Sequence, residues 1–230
     1  MPRPLTGLLA VAVVVALGGT GCSGPSSVSS SSALAEQSAL DPVPTEDDGD
    51  QLVVLFGDSL TELAVDHLRL RFAADPDRRL SAHWYGGTEV DTQAWLDLYP
   101  YVGEGAEVLL ALGINDLFSA PVADAADDVA RAVDQLTDAG AARVVMTTVN
   151  PNDVGTAEAL DGGWAAKVGD YNAWLIAAGE DDDRFPTLEV ARWDEVAAGH
   201  ADWLQPDGVH LTPAGGDAYA ELLYEAVATG

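Results

Sequence analysis

Leu52-Val53-Val54-Leu55-Phe56-Gly57-Asp58-Ser59-Leu60-Thr61-Glu62 decides how the rest of the chain is read. Leu52 to Phe56 is a short apolar strand, Gly57 makes a tight turn, and a helix opens around Ser59. A serine there stands at the carboxyl end of a strand and the amino end of a helix. Open α/β sheets bind ligands at such places, and the free N–H groups of the helix start can receive negative charge. The same letters also carry a plainer meaning. Ser59-Leu60-Thr61-Glu62 fits a capping box, with the serine capping the helix and the glutamate reaching back. On this stretch alone both readings stand.

The residues that follow repeat the strand-to-helix pattern. Leu60, Leu63, Ala64, Leu68 and Phe72 fall on one face of a helix that Asp75-Pro76-Asp77 ends. Leu80 to Tyr85 reads as a second strand running into Gly86-Gly87-Thr88, followed by a helix over about 89–98. Glu107 to Leu112 is an apolar strand closing on Gly113-Ile114-Asn115-Asp116, and a long amphipathic helix spans about 122–139. Arg143 to Val149 is a β-branched strand ending at Asn150-Pro151. A helix over 164–178, a strand near 187–191 and a last helix to about Val227 complete the series. Thr212 followed by Pro213 is a standard opening for that last helix. Alternating strands and helices without hairpin turns imply right-handed crossovers and a parallel sheet covered on both faces. The expected architecture is a doubly wound α/β/α domain with about five parallel strands. The loops after the strands then gather on one sheet edge, bringing together 57–59, 86–87, 113–115 and Asn150.

Upstream of this domain the composition changes. Arg3 is followed by an almost wholly apolar run from Leu5 to Leu17, and then by Gly18-Gly19-Thr20-Gly21. That run is shorter than the ~20 residues a spanning helix needs, so residues 1–21 read as a signal peptide. Cys22 is the only cysteine, which excludes an intramolecular disulfide. Placed directly after an apolar signal region, Cys22 resembles the lipidated cysteine of bacterial lipoproteins. It departs from that family in having Gly19 where leucine is usual, and ordinary secretion with cleavage nearby is the alternative. Residues 22–50, rich in Ser, Pro and Asp, lack the apolar surface to offset chain entropy and read as a flexible tether. The resulting expectation is an exported protein of the cell envelope, lipid-anchored on the outer side of the cytoplasmic membrane, or else secreted. The membrane is then a partner only through that anchor.

Thirty-eight acidic residues against ten Lys and Arg give a formal charge of -28. Nucleic acids are bound by neutralising phosphates with Lys and Arg, so this balance argues against them as partners. The acidity is spread along the chain and reads as a solvated surface. Runs such as Glu180-Asp181-Asp182-Asp183 lack the spacing of a calcium loop. His67, His83 and His200 are not spaced as metal ligands, and no cysteine cluster exists. Neither a metal nor another cofactor is expected.

Gly57-Asp58-Ser59-Leu60, Gly87 after the second strand, Gly113-Ile114-Asn115-Asp116 and Asp207-Gly208-Val209-His210 resemble the four blocks of the SGNH (GDSL-type) hydrolases. They occur in the family's order across residues 51–230, on a fold of flavodoxin-like type. The chemistry asked of these residues is coherent. Ester cleavage by serine needs a nucleophile, a base, a group that orients the base, and donors for the oxyanion. Ser59 is the candidate nucleophile and His210 the candidate base. Asp207, three residues before His210, is close enough to orient it, although an Asp-Gly turn explains Asp207 equally well. The resemblance gives the oxyanion donors as the Ser59 N–H, the Gly87 N–H and the Asn115 side-chain amide. Gly86 competes with Gly87, and Asn115 or Asp116 could instead cap the next helix. Asn150 is a candidate substrate contact, and the long polar loop over 150–163 a candidate specificity wall. Trp84, Tyr85, Trp95, Trp164 and Trp174 fit core positions better than a cleft.

The resemblance implies a serine hydrolase cleaving carboxylic esters: short-acyl, lipid or O-acetyl glycan substrates. An SGNH-type acyltransferase and a non-catalytic envelope lipoprotein that binds acylated glycan are the competing readings. A binder has no use for a paired serine and histidine.

Overall fold

The computed structural model describes residues 51–151 and 163–229. The signal peptide, the tether, Cys22 and most of the proposed specificity wall lie outside the described residues. Among these residues, no helix is long and apolar enough to cross a membrane.

Five strands form one parallel sheet: β1 (Gln51–Gly57), β2 (Arg78–Trp84), β3 (Glu107–Ala111), β4 (Arg143–Thr147) and β5 (Leu188–Ala191). Their order across the sheet is β2-β1-β3-β4-β5. The chain therefore winds outward from β1 in one direction and then in the other, placing the switch point between β1 and β3. Gly57 lies opposite Trp84 of β2 and Ala111 of β3. Because the three strands stop level with one another, the loops that leave them share one edge.

Helices cover both faces. α1 (Ser59–Ala73) packs against the last helix, α7 (Pro213–Ala228), while α4 (Val122–Asp138) packs against α5 (Trp164–Gly179). The short helices α2 (Gln93–Leu98), α3 (Ile114–Ser119) and α6 (Trp193–Val196) complete the set. The reason for burial is legible in the spacing. In α4, Ala125, Val129, Ala132, Val133 and Leu136 recur at helical intervals and all are buried. Val53 to Phe56, sandwiched between the helix layers, are wholly inaccessible, as a strand covered on both faces requires. Thr212 caps α7 by accepting from the Gly215 N–H, with Pro213 in the first turn, as the sequence predicts.

Two elements differ from expectation. The helix expected from Glu89 begins only at Gln93. Val90 is held elsewhere: its N–H donates to Asp116 Oδ1 and its carbonyl accepts from the Tyr99 hydroxyl, both at 3.0 Å. Tertiary partners here outcompete the helical ladder. Between β5 and α7, where only a loop is expected, α6 and a 3₁₀ turn (Ala201–Trp203) form. Trp193 is buried there against Tyr219, and Trp203 stacks on it. The large aromatics, not a helical repeat, set this segment.

Candidate active site

Asp58, and not Ser59, caps α1. Its backbone is extended and its Oδ1 accepts from the Leu60 N–H at 2.9 Å. The capping-box reading therefore fails by one residue: Ser59 is the first helical residue and its hydroxyl is not the cap. The turn before it tolerates only glycine, since a Cβ on Gly57 would lie 2.0 Å from Thr61 Oγ1. The tight turn and the acidic cap together set Ser59, half-buried, on the first turn of α1.

The loop after β2 folds directly over this turn. Tyr85 N–H and the Thr88 hydroxyl both reach the Gly57 carbonyl, at 3.1 and 3.4 Å. A Cβ on Gly86 would lie 3.6 Å from the Ser59 Cβ, so Gly86 makes the close approach to the serine. Gly87 is exposed and left-handed, with φ of 78°, and supplies the turn.

From β3 comes α3, whose cap position is Gly113 at φ 119°, a conformation that favours glycine. Neither Asn115 nor Asp116 caps it, contrary to one of the two expectations. Instead the Asn115 amide Nδ2 donates to Asp58 Oδ2 and to the Thr88 carbonyl, both at 3.0 Å. Asp116 turns inward to accept from Val90, and its second oxygen has no hydrogen-bonding partner.

The fourth loop is closed on itself. Leu204 and Leu211 form an antiparallel bridge, and Gln205 and Thr212 donate to the carbonyls of His210 and Trp203. Within it, Asp207 is more than a turn residue. Its Oδ1 accepts from the N–H groups of Val209 and His210, and its Oδ2 accepts from His210 Nδ1 at 2.8 Å. Burial works against the Asp207 charge. The bonds from the His210 ring and from the two N–H groups overcome it and hold the carboxyl below the usual carboxylate range. With Nδ1 engaged, His210 Nε2 is left to accept a proton.

A narrow pocket joins the loops, lined among others by Asp58, Leu60, Thr147, Asn150, Gly208 and Val209. The turn at Asp58 thus faces the loop that carries His210. Burial foremost pushes the Asp58 carboxyl up to about 7, against the Leu60 N–H and the charge of His210, which favour its ionised form. Asn150 lines the same pocket, at the end of β4. Its space, about 20 Å³, is that of a water molecule rather than an acyl chain.

The other histidines lie elsewhere. His83 is buried, stacked on Phe56 and bonded to Ser81; His67 pairs with Asp217; His200 stacks on Trp203. Among the described residues no group of three or more His, Cys, Asp or Glu side chains could hold a metal ion. Trp95 and Trp164 are buried in the core, and Trp84, Tyr85 and Trp174 pack against it.

A serine-bearing turn, a glycine loop, an amide and an Asp–His pair lie on one sheet edge. The model of the GDSL-like Lipase/Acylhydrolase family matches residues 55–218. The chain belongs to that family. No curated protein sequence matches the chain. Solved structures share the fold of this GDSL-family domain at low identity. A member of the lipolytic G-D-S-L family from Veillonella parvula aligns at TM-score 0.63 and 14% identity, over 77% of this chain and 98% of its own. The catalytic domain of a peptidoglycan O-acetyltransferase from Streptococcus pneumoniae aligns at 0.57 and 20%, over 78% and 94%. An acetyl xylan esterase from Geobacillus stearothermophilus aligns at 0.58 and 14%, over 79% and 97%.

Sequence reasoning did not single out two residues of this edge. Asp58 was visible only as a motif letter beside the serine, and Asp116 only as an alternative cap. An acidic residue directly before the first helical residue is a capping signal, and that signal was available for Asp58. Nothing in the sequence announces the bond from Asn115, 57 positions away.

Proposed function

We propose that this GDSL-family hydrolase cleaves carboxylic esters through an acyl-enzyme on Ser59. His210 accepts the serine proton as the hydroxyl attacks the ester carbonyl, and returns it to the leaving alcohol. Water then attacks the acyl carbon as His210 takes its proton, and His210 returns that proton to Ser59 Oγ as the C–Oγ bond breaks and the acid leaves. Asp207 holds the His210 tautomer and stabilises the imidazolium. The N–H groups of Ser59 and Gly87 and the Asn115 amide receive the oxyanion, and Asn150 contacts substrate. The observation that carries this reading is the 2.8 Å bond between Asp207 and His210, on a loop facing the turn that presents Ser59. A histidine oriented by a carboxylate has a use as the base for a serine nucleophile and none in passive binding.

The test is a fluorophosphonate probe together with a panel of p-nitrophenyl esters and acetylated sugars. Wild type should be labelled at Ser59 and hydrolyse at least one ester class, and Ser59→Ala should do neither. Folded wild type that resists the probe would favour the binding-lipoprotein reading. Product analysis with competing alcohols separates hydrolysis from acyl transfer, since both pass through the same acyl-enzyme.

We infer further that Cys22 carries a lipid and that residues 22–50 hold the domain off the envelope surface. The support is the apolar segment, the small residues before Cys22 and the composition of the tether. A mature protein whose intact mass shows an unmodified amino terminus would overturn this.

A further inference from the structure

Asn115 Nδ2 has two hydrogens, and both have protein acceptors: Asp58 Oδ2 and the Thr88 carbonyl. A carbonyl can only accept, and a carboxylate only accepts, so this pair fixes which end of the amide is nitrogen. The side chain is thereby locked in plane and direction. Asp58 is only 1% exposed, and its other oxygen accepts from the Leu60 N–H in the first turn of α1. One carboxylate thus touches both the helix that carries Ser59 and the side chain that α3 contributes. The sheet alone does not fix that spacing. β1 and β3 set where the two helices begin, but a side-chain amide on α3 keeps its own rotamer freedom unless something holds it.

We propose that Asp58 is a positioning residue that fastens the Asn115 amide to the first turn of α1, keeping nucleophile and oxyanion donor at one fixed separation. The proposal rests on the reading of Asn115 as an oxyanion donor. It extends that reading to a residue which itself touches neither the reacting atoms nor substrate. The geometry also assigns the motif's acidic letter a reason. A serine or asparagine would cap α1 as well as an aspartate does, but neither supplies two acceptor oxygens facing opposite ways. Asparagine would turn a donor toward the Asn115 donor, and serine is too short to reach it.

When an oxyanion forms, one Asn115 N–H is shared between it and its protein acceptor, and the amide stays in plane because Asp58 and Thr88 both keep their places.

The test separates the tether from the cap. Asp58→Ser keeps a good helix cap and removes the reach to Asn115. Its melting temperature should stay within a few degrees of wild type. Its kcat should fall about 10- to 100-fold with KM within about twofold, a smaller loss than removing an oxyanion donor outright. The decisive measurement is the double-mutant cycle with Asn115→Ala. If Asp58 acts through Asn115, the Asp58→Ser/Asn115→Ala enzyme is no slower than Asn115→Ala alone. Losses that multiply in the double variant would overturn the tether, as would a wild-type kcat in Asp58→Ser. Full activity in Asn115→Ala would instead reject Asn115 as the oxyanion donor, so the two failures read differently.

Discussion

Asp116→Asn should make this enzyme more resistant to unfolding, and increasingly so as the pH rises. Asp116 is 2% exposed. Its Oδ1 accepts from the Val90 N–H, and its Oδ2 has no partner. Burial foremost, with Glu89 and Asp91 adding like charge, pushes the carboxyl from 3.8 up to about 7. The remaining neighbours are phenols, Tyr99 from the 3₁₀ turn after α2 and Tyr171 from α5, both coupled to Asp116 and both pushed upward mainly by their own burial. A carboxyl whose folded value is raised contributes stability fully below its unfolded value and loses it as pH climbs through the folded one. At about 1.36 kcal/mol per unit, the cost to wild type is about 2 kcal/mol at pH 5 and about 4 kcal/mol at pH 8. Asparagine keeps an acceptor for Val90 and has nothing to ionise. Any packing difference between the two side chains is independent of pH. The stability of Asp116→Asn relative to wild type should therefore rise by about 2–3 kcal/mol from pH 5 to pH 8. Urea unfolding of both proteins at several pH values measures it. A difference that stays flat, or shrinks, as pH rises would refute the account of Asp116 as a carboxyl held against its own ionisation.

Asn115→Ala should lower kcat by about 100- to 1000-fold with little change in melting temperature, as loss of one oxyanion donor does. Steady-state kinetics on the best p-nitrophenyl ester would show it, and near-normal turnover would reject the assignment. Asp207→Asn should lower kcat by about 100-fold or more, because the amide can turn its donor toward His210 Nδ1 and favour the wrong tautomer. An unchanged kcat would mean that another group orients the ring. Gly215→Ala should damage both stability and turnover. Its Cβ would fall 2.2 Å from the Trp203 carbonyl, which accepts from Thr212 and anchors the base of the His210 loop. Overpacking of this kind costs about 1–3 kcal/mol, and a melting curve beside an activity assay checks it. Normal values of both would show that the loop has slack.

Strand periodicity and glycine placement carried the architecture. The apolar runs at 52–56, 107–112 and 143–149 each became a central strand, because residues buried on both faces of a parallel sheet must be continuously apolar. Local signals served less well where distant partners dominate. Glu89 to Thr92 looked helical until Asp116 and Tyr99 claimed the Val90 backbone. Ser59 looked like a cap because the capping pattern tolerates a shift of one residue, and only the extended backbone at Asp58 separates the two. For the site, the residue types and their loops were legible, since four loops must meet on one edge of such a sheet. Their mutual bonds were not. The link from Asn115 to Asp58 and that from Asp116 to Val90 join residues 57 and 26 positions apart, and no spacing rule connects them.

Those two links explain how the site divides between fixed and adjustable parts. Asp58 joins the first loop to the third, Asn115 joins the third to the second, and Asp116 joins α3 to the segment just after the second loop. Three of the four loops are thus one polar body, and its buried members are satisfied mostly by one another. The loop that carries His210 takes no part in these hydrogen bonds. It is held by its own backbone bonds and by Trp203 against Trp193. A general base must approach the serine, take a proton, and then deliver it to a leaving group some distance away, which calls for small adjustments of the imidazole. An oxyanion hole gains its effect by being aimed before charge appears. On the proposed roles, the two buried carboxyls suit a fixed aim, and the part-exposed Asp207 suits the different task of the histidine loop.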